Sequence, residues 1–464
     1  MIKKILPLLL LSCSSLLYSD CRIQSDKLLA LQFINHGAPI QSVAWCCDEN
    51  FPDAPYAAVG GYPGTVDTVV RVFELEYNNS QACCTGRLVE KATLKQGTDA
   101  TPELPGGYVN AVDWACSCTS LLAVGGTDGI VRIYLYDGTN DTLTWMNSYT
   151  VGIPGKESNV RTLKFLPECC ASCSSPKGLY LAVGGDRGAD VHEIHILRVE
   201  PDVDNVTVDI TNVADAIFGN SVYSLDWCCD RATADATLAE RAYLAAGGLS
   251  GVEGTCGKEN VRVYCFDCAS ETLTLVSQVQ AAPNPVYTVS WCCDPSYSLK
   301  RQLAVGGKRN DINNIMAQVF YFDNNINLKP VGGVNNGILG VEGQRTFAIE
   351  WNPSPCQCNT LTLGGGCMAT TPTLCPDNII IDKIINKCYF QFLTGTRFDD
   401  NITSLAYCQC DSNNAYLLVG SEKDNWSSAD ICIETPTEYE VALYCVATCG
   451  GATVLPKPIC ERGD

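Results

Sequence analysis

An all-β fold built by repetition is the class this sequence predicts, and three recurring runs predict it. The first run ends in an aromatic residue: Trp45, Trp114, Phe165, Trp227, Trp291, Trp351 and Tyr407, spaced 51 to 69 residues apart. The second follows each anchor, as "AAVGGYPG", "LAVGGTDG", "LAVGGDRG", "LAAGGLSG", "LAVGGKRN", "LTLGGGCM" and "LLVGSEKD". The third follows that, as "VRVFELE", "VRIYLYD", "IHILRVE", "VRVYCFD", "AQVFYFD", "CYFQFL" and "VALYCV". Self-similarity at such a period marks repeat architectures.

Each run alternates β-branched and aromatic residues, the pattern of a strand. A fourth strand shows in most units, as in "DTLTWMNSY" and "ETLTLVSQV". A four-stranded antiparallel meander cannot bury both apolar faces alone, so it must pack against copies of itself. Arranging seven radially buries every face and leaves no open end. The expectation is a disulfide-rich, seven-bladed β-propeller of four-stranded antiparallel blades. The paired glycines (Gly60 with Gly61 through Gly306 with Gly307) belong where a strand ends and the backbone turns sharply or approaches a neighbour.

These runs resemble those of the WD-repeat family of seven-bladed β-propellers, in the order "SVAW", "LAVGG", turn, "VRVY.FD", over nearly the whole chain. Where that family closes its third strand with tryptophan and aspartate, this chain has Tyr136-Asp137, Phe322-Asp323, and Tyr264 with Asp267. The family's glycine-histidine pair is missing, so its histidine-to-aspartate network is not carried over. Ring closure needs an outer strand from one chain end, and "KLLALQFIN" and "GATVLPKP" both qualify.

The chain opens "MIKKILPLLLLSCSSLLYSDCR", a basic start, a short apolar run and then small polar residues, the build of an export signal. Cleavage after Ser19 frees a soluble domain of residues 20–464. The alternative box "LLSC" ending at Cys13 leaves a lipid anchor. Both lead to an extracytoplasmic protein, secreted, periplasmic or held at the cell surface. No run approaches the roughly 20 apolar residues of a membrane-spanning helix. The formal charge of −20 argues against nucleic acid, whose phosphates need a basic face.

Twenty-nine cysteines in an exported chain read first as disulfides. A pair follows each anchor: Cys46 and Cys47, Cys116 and Cys118, Cys169 and Cys170, Cys228 and Cys229, Cys292 and Cys293, Cys356 and Cys358, Cys408 and Cys410. Adjacent strand residues point to opposite faces, and a bond within an adjacent pair is geometrically poor. The pairs therefore suggest a belt of disulfides from blade to blade. Cys21 and Cys460 are candidates for tying the chain ends together.

No catalytic set stands out. His36, His192 and His195 accompany no nucleophile motif. Asp113, Asp226 and Glu350 each precede an anchor and are expected to project toward the central channel, where a metal is conceivable but solvated polar residues are commoner. Long segments at 250–260, 308–316 and 424–440 are natural places for binding specificity. The reading is an exported, non-enzymatic scaffold without a cofactor, binding a protein or cell-surface ligand. The alternatives are a lactonase-like propeller hydrolase with a channel metal, or a component of a disulfide-linked envelope.

Overall fold

The computed structural model describes residues 28–46, 55–64, 67–77, 86–97, 103–116, 120–153, 156–167, 178–186, 192–202, 207–229, 241–249, 259–292, 302–308, 316–322, 327–330, 345–351, 360–366, 379–385, 389–396, 401–409, 414–422 and 440–447. The leader with Cys13, the segments 250–258, 309–315 and 423–439, and Cys21, Cys47, Cys118, Cys169, Cys170, Cys293, Cys356, Cys358, Cys410 and Cys460 lie outside the described residues.

Six sheets are each made of four consecutive antiparallel strands. Their innermost strands are Ile40–Cys46 (blade 1), Val109–Cys116 (blade 2), Val160–Phe165 (blade 3), Val222–Cys229 (blade 4), Val286–Cys292 (blade 5) and Arg345–Trp351 (blade 6). A further four-stranded sheet, blade 7, takes Asn401–Gln409, Asn414–Glu422 and Glu440–Ala447 from one end of the chain and Leu28–Asn35 from the other. Of the two outer strands the sequence offers, the N-terminal one therefore closes the ring: Phe33 faces Ala442 across an antiparallel pairing. Innermost strands of successive blades pack side by side around the circle, and that of blade 7 packs on that of blade 1.

One apolar cluster fills each gap between neighbouring sheets. Strand periodicity explains the sorting. Trp114 packs against blade 1 with Ala58 and Val70, while its neighbour Ala115 faces blade 3 with Leu181 and Val183. The first glycine of each pair sits where the next blade comes closest: a Cβ on Gly247 would lie 2.5 Å from Cγ1 of Val286. Its partner Gly248 abuts its own inner strand, 2.2 Å from the Ser221 carbonyl if it bore a Cβ. Close approach, not turning, is what these glycines serve.

Unit six corrects the strand reading. "CYFQFL" forms the outer strand Tyr389–Thr396, and the third strand is Ile379–Ile385. The third strand is hydrogen-bonded along both edges, and the isoleucine-rich "IIIDKII" takes that place, with "CYFQFL" pairing only along one edge as the outer strand.

Candidate functional site at the channel mouth

Every innermost strand slips register at one place, four residues before its anchor. In blade 4, Val222 pairs with Gly248 and Ser224 with Gly247, leaving Tyr223 unpaired. The same slip leaves Gln41, Asn110, Arg161, Tyr287, Phe347 and Thr403 unpaired in the other blades. A β-bulge re-aims the extra side chain, and here Gln41, Asn110, Arg161, Tyr287, Phe347 and Thr403 line one central cavity of about 150 Å³, with Tyr223 beside Arg161 and Tyr287 at its edge. The sequence signal was present: apolar residues recur five and two positions before six of the seven anchors, as Val222 and Leu225 do before Trp227, with Thr346 the exception. That spacing of three breaks the period of two that a regular strand requires.

The bulged residues differ around the ring. Tyr223 and Tyr287 have ring centroids 5.7 Å apart, and Tyr287 and Phe347 5.2 Å, so three adjacent blades present an aromatic wall. Arg161 lies 5.0 Å over the Tyr223 ring, a cation–π contact. Asp186 accepts hydrogen bonds from Arg161 at 2.5 and 3.0 Å and from Asn159 at 2.9 Å, which fixes the guanidinium. Burial alone would raise the Asp186 carboxyl, but the Arg161, Ser221 and Asn159 bonds hold it below the usual carboxylate range. The other arc, Thr403, Gln41 and Asn110, is neutral and polar.

One residue deeper, hydroxyl groups stitch blade to blade. Ser42 Oγ accepts from the Val112 amide at 3.1 Å, Ser224 from Val289 at 3.1 Å, Thr288 from Ile349 at 3.2 Å and Ser404 from Val43 at 2.9 Å. An innermost strand has a sheet neighbour on one side only, so alternate amides face away from their own sheet, and the adjacent blade's hydroxyl satisfies them. The anchors repeat the device, since the indole N–H of Trp45, Trp227 and Trp351 donates to Ala406, Lys164 and Ser290 carbonyls at 3.1, 3.0 and 2.9 Å.

Deeper still are the expected carboxylates. Asp113, Asp226 and Glu350 all line the cavity, together with Lys164, which sequence reasoning did not single out. Lys164 Nζ is 3.6 Å from Asp113, and Asp113 also accepts the Phe165 amide at 2.7 Å. Asp226 accepts the Trp291 amide at 2.6 Å. Glu350 has only a long bond from the Ser290 hydroxyl, at 3.5 Å. Among the described residues neither Asp226 nor Glu350 has a cation within 4 Å. Burial pushes Glu350 up to about 8 and Asp226 to about 6, in each case against the pull of Lys164. Asp113 is raised by burial too, and the Asp113 charge raises Lys164.

The three carboxylates thus surround one ammonium, but no group of three His, Cys, Asp or Glu among the described residues is placed to hold a metal. The histidines lie elsewhere. His195 Nδ1 meets Asp215 at 2.6 Å across the outer hairpin of blade 3. His36 is fully buried ahead of blade 1, and burial lowers it to about 4. Among the described residues that line the channel cavity there is no histidine.

The described members of the cysteine pairs, Cys46, Cys116, Cys228, Cys229, Cys292 and Cys408, lie at or next to the end of their inner strands that is opposite the mouth. Cys46, Cys228 and Cys408 hold the position after the anchor, are buried, and match Ala115 and Leu166 in other blades. Cys228 and Cys408 are disulfide-bonded, as is Cys268. Cys46 is a free thiol packed among Ala58, Val72 and Trp114, so the belt of bonds does not include it. Its small apolar character serves the core at that point. Cys292 packs half-buried against the core between blades 5 and 6. Cys116 and Cys229 end their strands.

No family model matches the chain, and no curated protein matches it. Among solved structures it is similar to one described as "Crystal structure of WD40 beta propeller domain of Doa1", with 11% identity, 90% of this chain and 97% of that chain covered, and a TM-score of 0.49. The propeller assignment rests on the chain's own sheets and the clusters between them.

Proposed function

We propose that the chain is an exported, non-catalytic propeller scaffold that binds a protein or cell-surface partner at the mouth of its channel. One observation carries this reading: seven equivalent bulges present seven positions of different chemistry on a frame that is otherwise repeated. A rigid ring with one variable rim is suited to recognition, because binding residues held on a rigid scaffold are already ordered before a partner arrives. The basic and apolar leader and the bonded cysteines support placement in an oxidising compartment. The channel offers carboxylates and one ammonium but no imidazole, nucleophile pair or metal-holding cluster among the described residues.

The test is site-specific photo-crosslinking in the source cells, with the photoreactive residue at Tyr287 on the mouth or at Leu275 on the exposed outer rim. One discrete adduct from Tyr287 and none from Leu275 is the expected outcome. Equal labelling from both, or none from Tyr287, overturns the reading. Sequencing the N-terminus of the native protein checks its location: a start at Asp20 supports release, a lipidated Cys13 supports anchoring, and an intact Met1 removes both.

A further inference from the structure

The wall formed by Tyr223, Tyr287 and Phe347 is half-buried, Tyr287 and Phe347 line the cavity, and among the described residues the only charged group over these rings is Arg161, on Tyr223. That one contact shows how the wall receives a cation: flat on a ring face, with a carboxylate holding the charge from the other side. Over Tyr287 and Phe347 the described residues supply no such group. Directly along the same strands, three residues on from Tyr223 and Phe347, stand Asp226 and Glu350, the two cavity carboxylates that Lys164 does not pair. Aromatic faces above and uncompensated carboxylates below are complementary to a single occupant, an amphipathic cation with an apolar stem.

We propose that the channel mouth seats one basic side chain, arginine or lysine, presented by a loop or extended segment of a partner protein, with its stem on Tyr287 and Phe347 and its charge toward Asp226 and Glu350. This rests on the scaffold reading and gives the partner its chemistry. Lysine and arginine stems lie along apolar surface while their heads seek polar groups, and ring faces attract the same cations. An acidic or neutral occupant leaves both carboxylates desolvated and unpaired, which costs more than the aromatic contact returns. The chain's formal charge of −20 favours encounter with basic partners over acidic ones.

The experiment titrates the full-length protein with acetylated, amidated pentapeptides bearing a central arginine or lysine between glycines, and with a citrulline peptide of matching shape. Calorimetry is expected to show binding of a basic peptide and affinity about tenfold lower or worse for citrulline, the scale of a charge-assisted contact. With the titrations run at pH 8.5, above the values near 8 and 6 to which burial raises Glu350 and Asp226, Glu350→Gln and Asp226→Asn should each weaken the basic peptide by about tenfold, and Tyr287→Leu by about threefold. Thermal melts of each variant confirm folding, and the conservative amides keep their hydrogen-bonding shape.

Equal binding of citrulline, or unchanged affinity in both amide variants, overturns the proposal. So does spermidine binding as tightly as the peptides, which makes the occupant a free polyamine. A discrete crosslink from Tyr287 with no peptide discrimination leaves the scaffold standing and removes this inference. Peptide discrimination without any crosslink does the reverse.

Discussion

The walls between blades and the lining of the channel are built from the same seven strands, yet they follow opposite rules. In the walls, equivalent positions repeat: the anchor aromatic, the valine or isoleucine five residues before it in six blades, and the close-approach glycine, as in Trp227, Val222 and Gly184. In the lining, equivalent positions diverge: Asp113, Lys164, Asp226 and Glu350 line the cavity at the position before the anchor, where the other blades carry Ala44, Ser290 and Ala406. A wall position is constrained by two sheets about 10 Å apart, and packed interiors punish any change of volume. A lining position borders the cavity on one side, so its side chain is less constrained by volume and is freer to carry specificity.

Breaking the wall should have the largest effect. Trp227→Ala empties a site filled against Tyr180 and Phe266 and orphans the Lys164 carbonyl, at an expected loss of about 3–5 kcal/mol. Tyr287→Ser on the mouth should lose about 1 kcal/mol or less. Denaturant titration of both variants measures the contrast, and equal losses would dissolve it.

The lining should instead show itself through pH. Glu350 titrates near 8 in the fold against its ordinary 4.5, so the folded chain holds an extra proton between those values. Its contribution is therefore fully present below about pH 4.5 and is lost as pH rises to about 8. Asp113, Lys164, Asp226, Ser290 and Tyr407 are the groups that face it. Glu350→Gln should raise stability at pH 8.5 by about 2 kcal/mol, below the full shift because the cavity admits water, and leave it unchanged at pH 4.5. A melting temperature gain that is the same at both pH values would contradict this.

Lys164→Met removes the one ammonium facing three carboxylates. Its side chain is 39% exposed, so the expected cost at pH 8 is about 1–2 kcal/mol, less than for a fully buried pair. The loss should shrink toward pH 5, where the Asp226 and Glu350 carboxyls are mostly protonated. The smallest change is in the stitching. Ser224→Ala leaves the Val289 amide without its acceptor and should cost about 1 kcal/mol, read by hydrogen exchange at that amide. No faster exchange at Val289 would mean that the hydroxyls do not join the blades.

Much of this was open to reading in one dimension. The anchors, the glycine pairs and the carboxylates before Trp114, Trp227 and Trp351 are visible because the same physical demand recurs and leaves the same residue each time. The aromatic wall was hidden for the opposite reason: Tyr223, Tyr287 and Phe347 occupy equivalent positions beside Arg161, Asn110, Gln41 and Thr403, and no shared residue type marks them. Their place at the channel mouth follows from the bulge, which only the odd spacing of flanking apolar residues betrays. Lys164 escaped notice because a lysine on a strand is ordinarily a solvated group, and its importance comes from carboxylates on three other blades. Cys46 looked like its counterparts Cys228 and Cys408, yet bonding depends on where a second sulfur lies.

Sequence by itself determined the repeat, the strand character of each run and the need for closure, since these follow from local periodicity and from apolar faces that require cover. Tertiary structure alone decided which chain end completes blade 7, which side chains the bulges turn into the channel, and which charges go unpaired. Those outcomes depend on residues separated by tens to hundreds of positions, and only the closed ring brings them together.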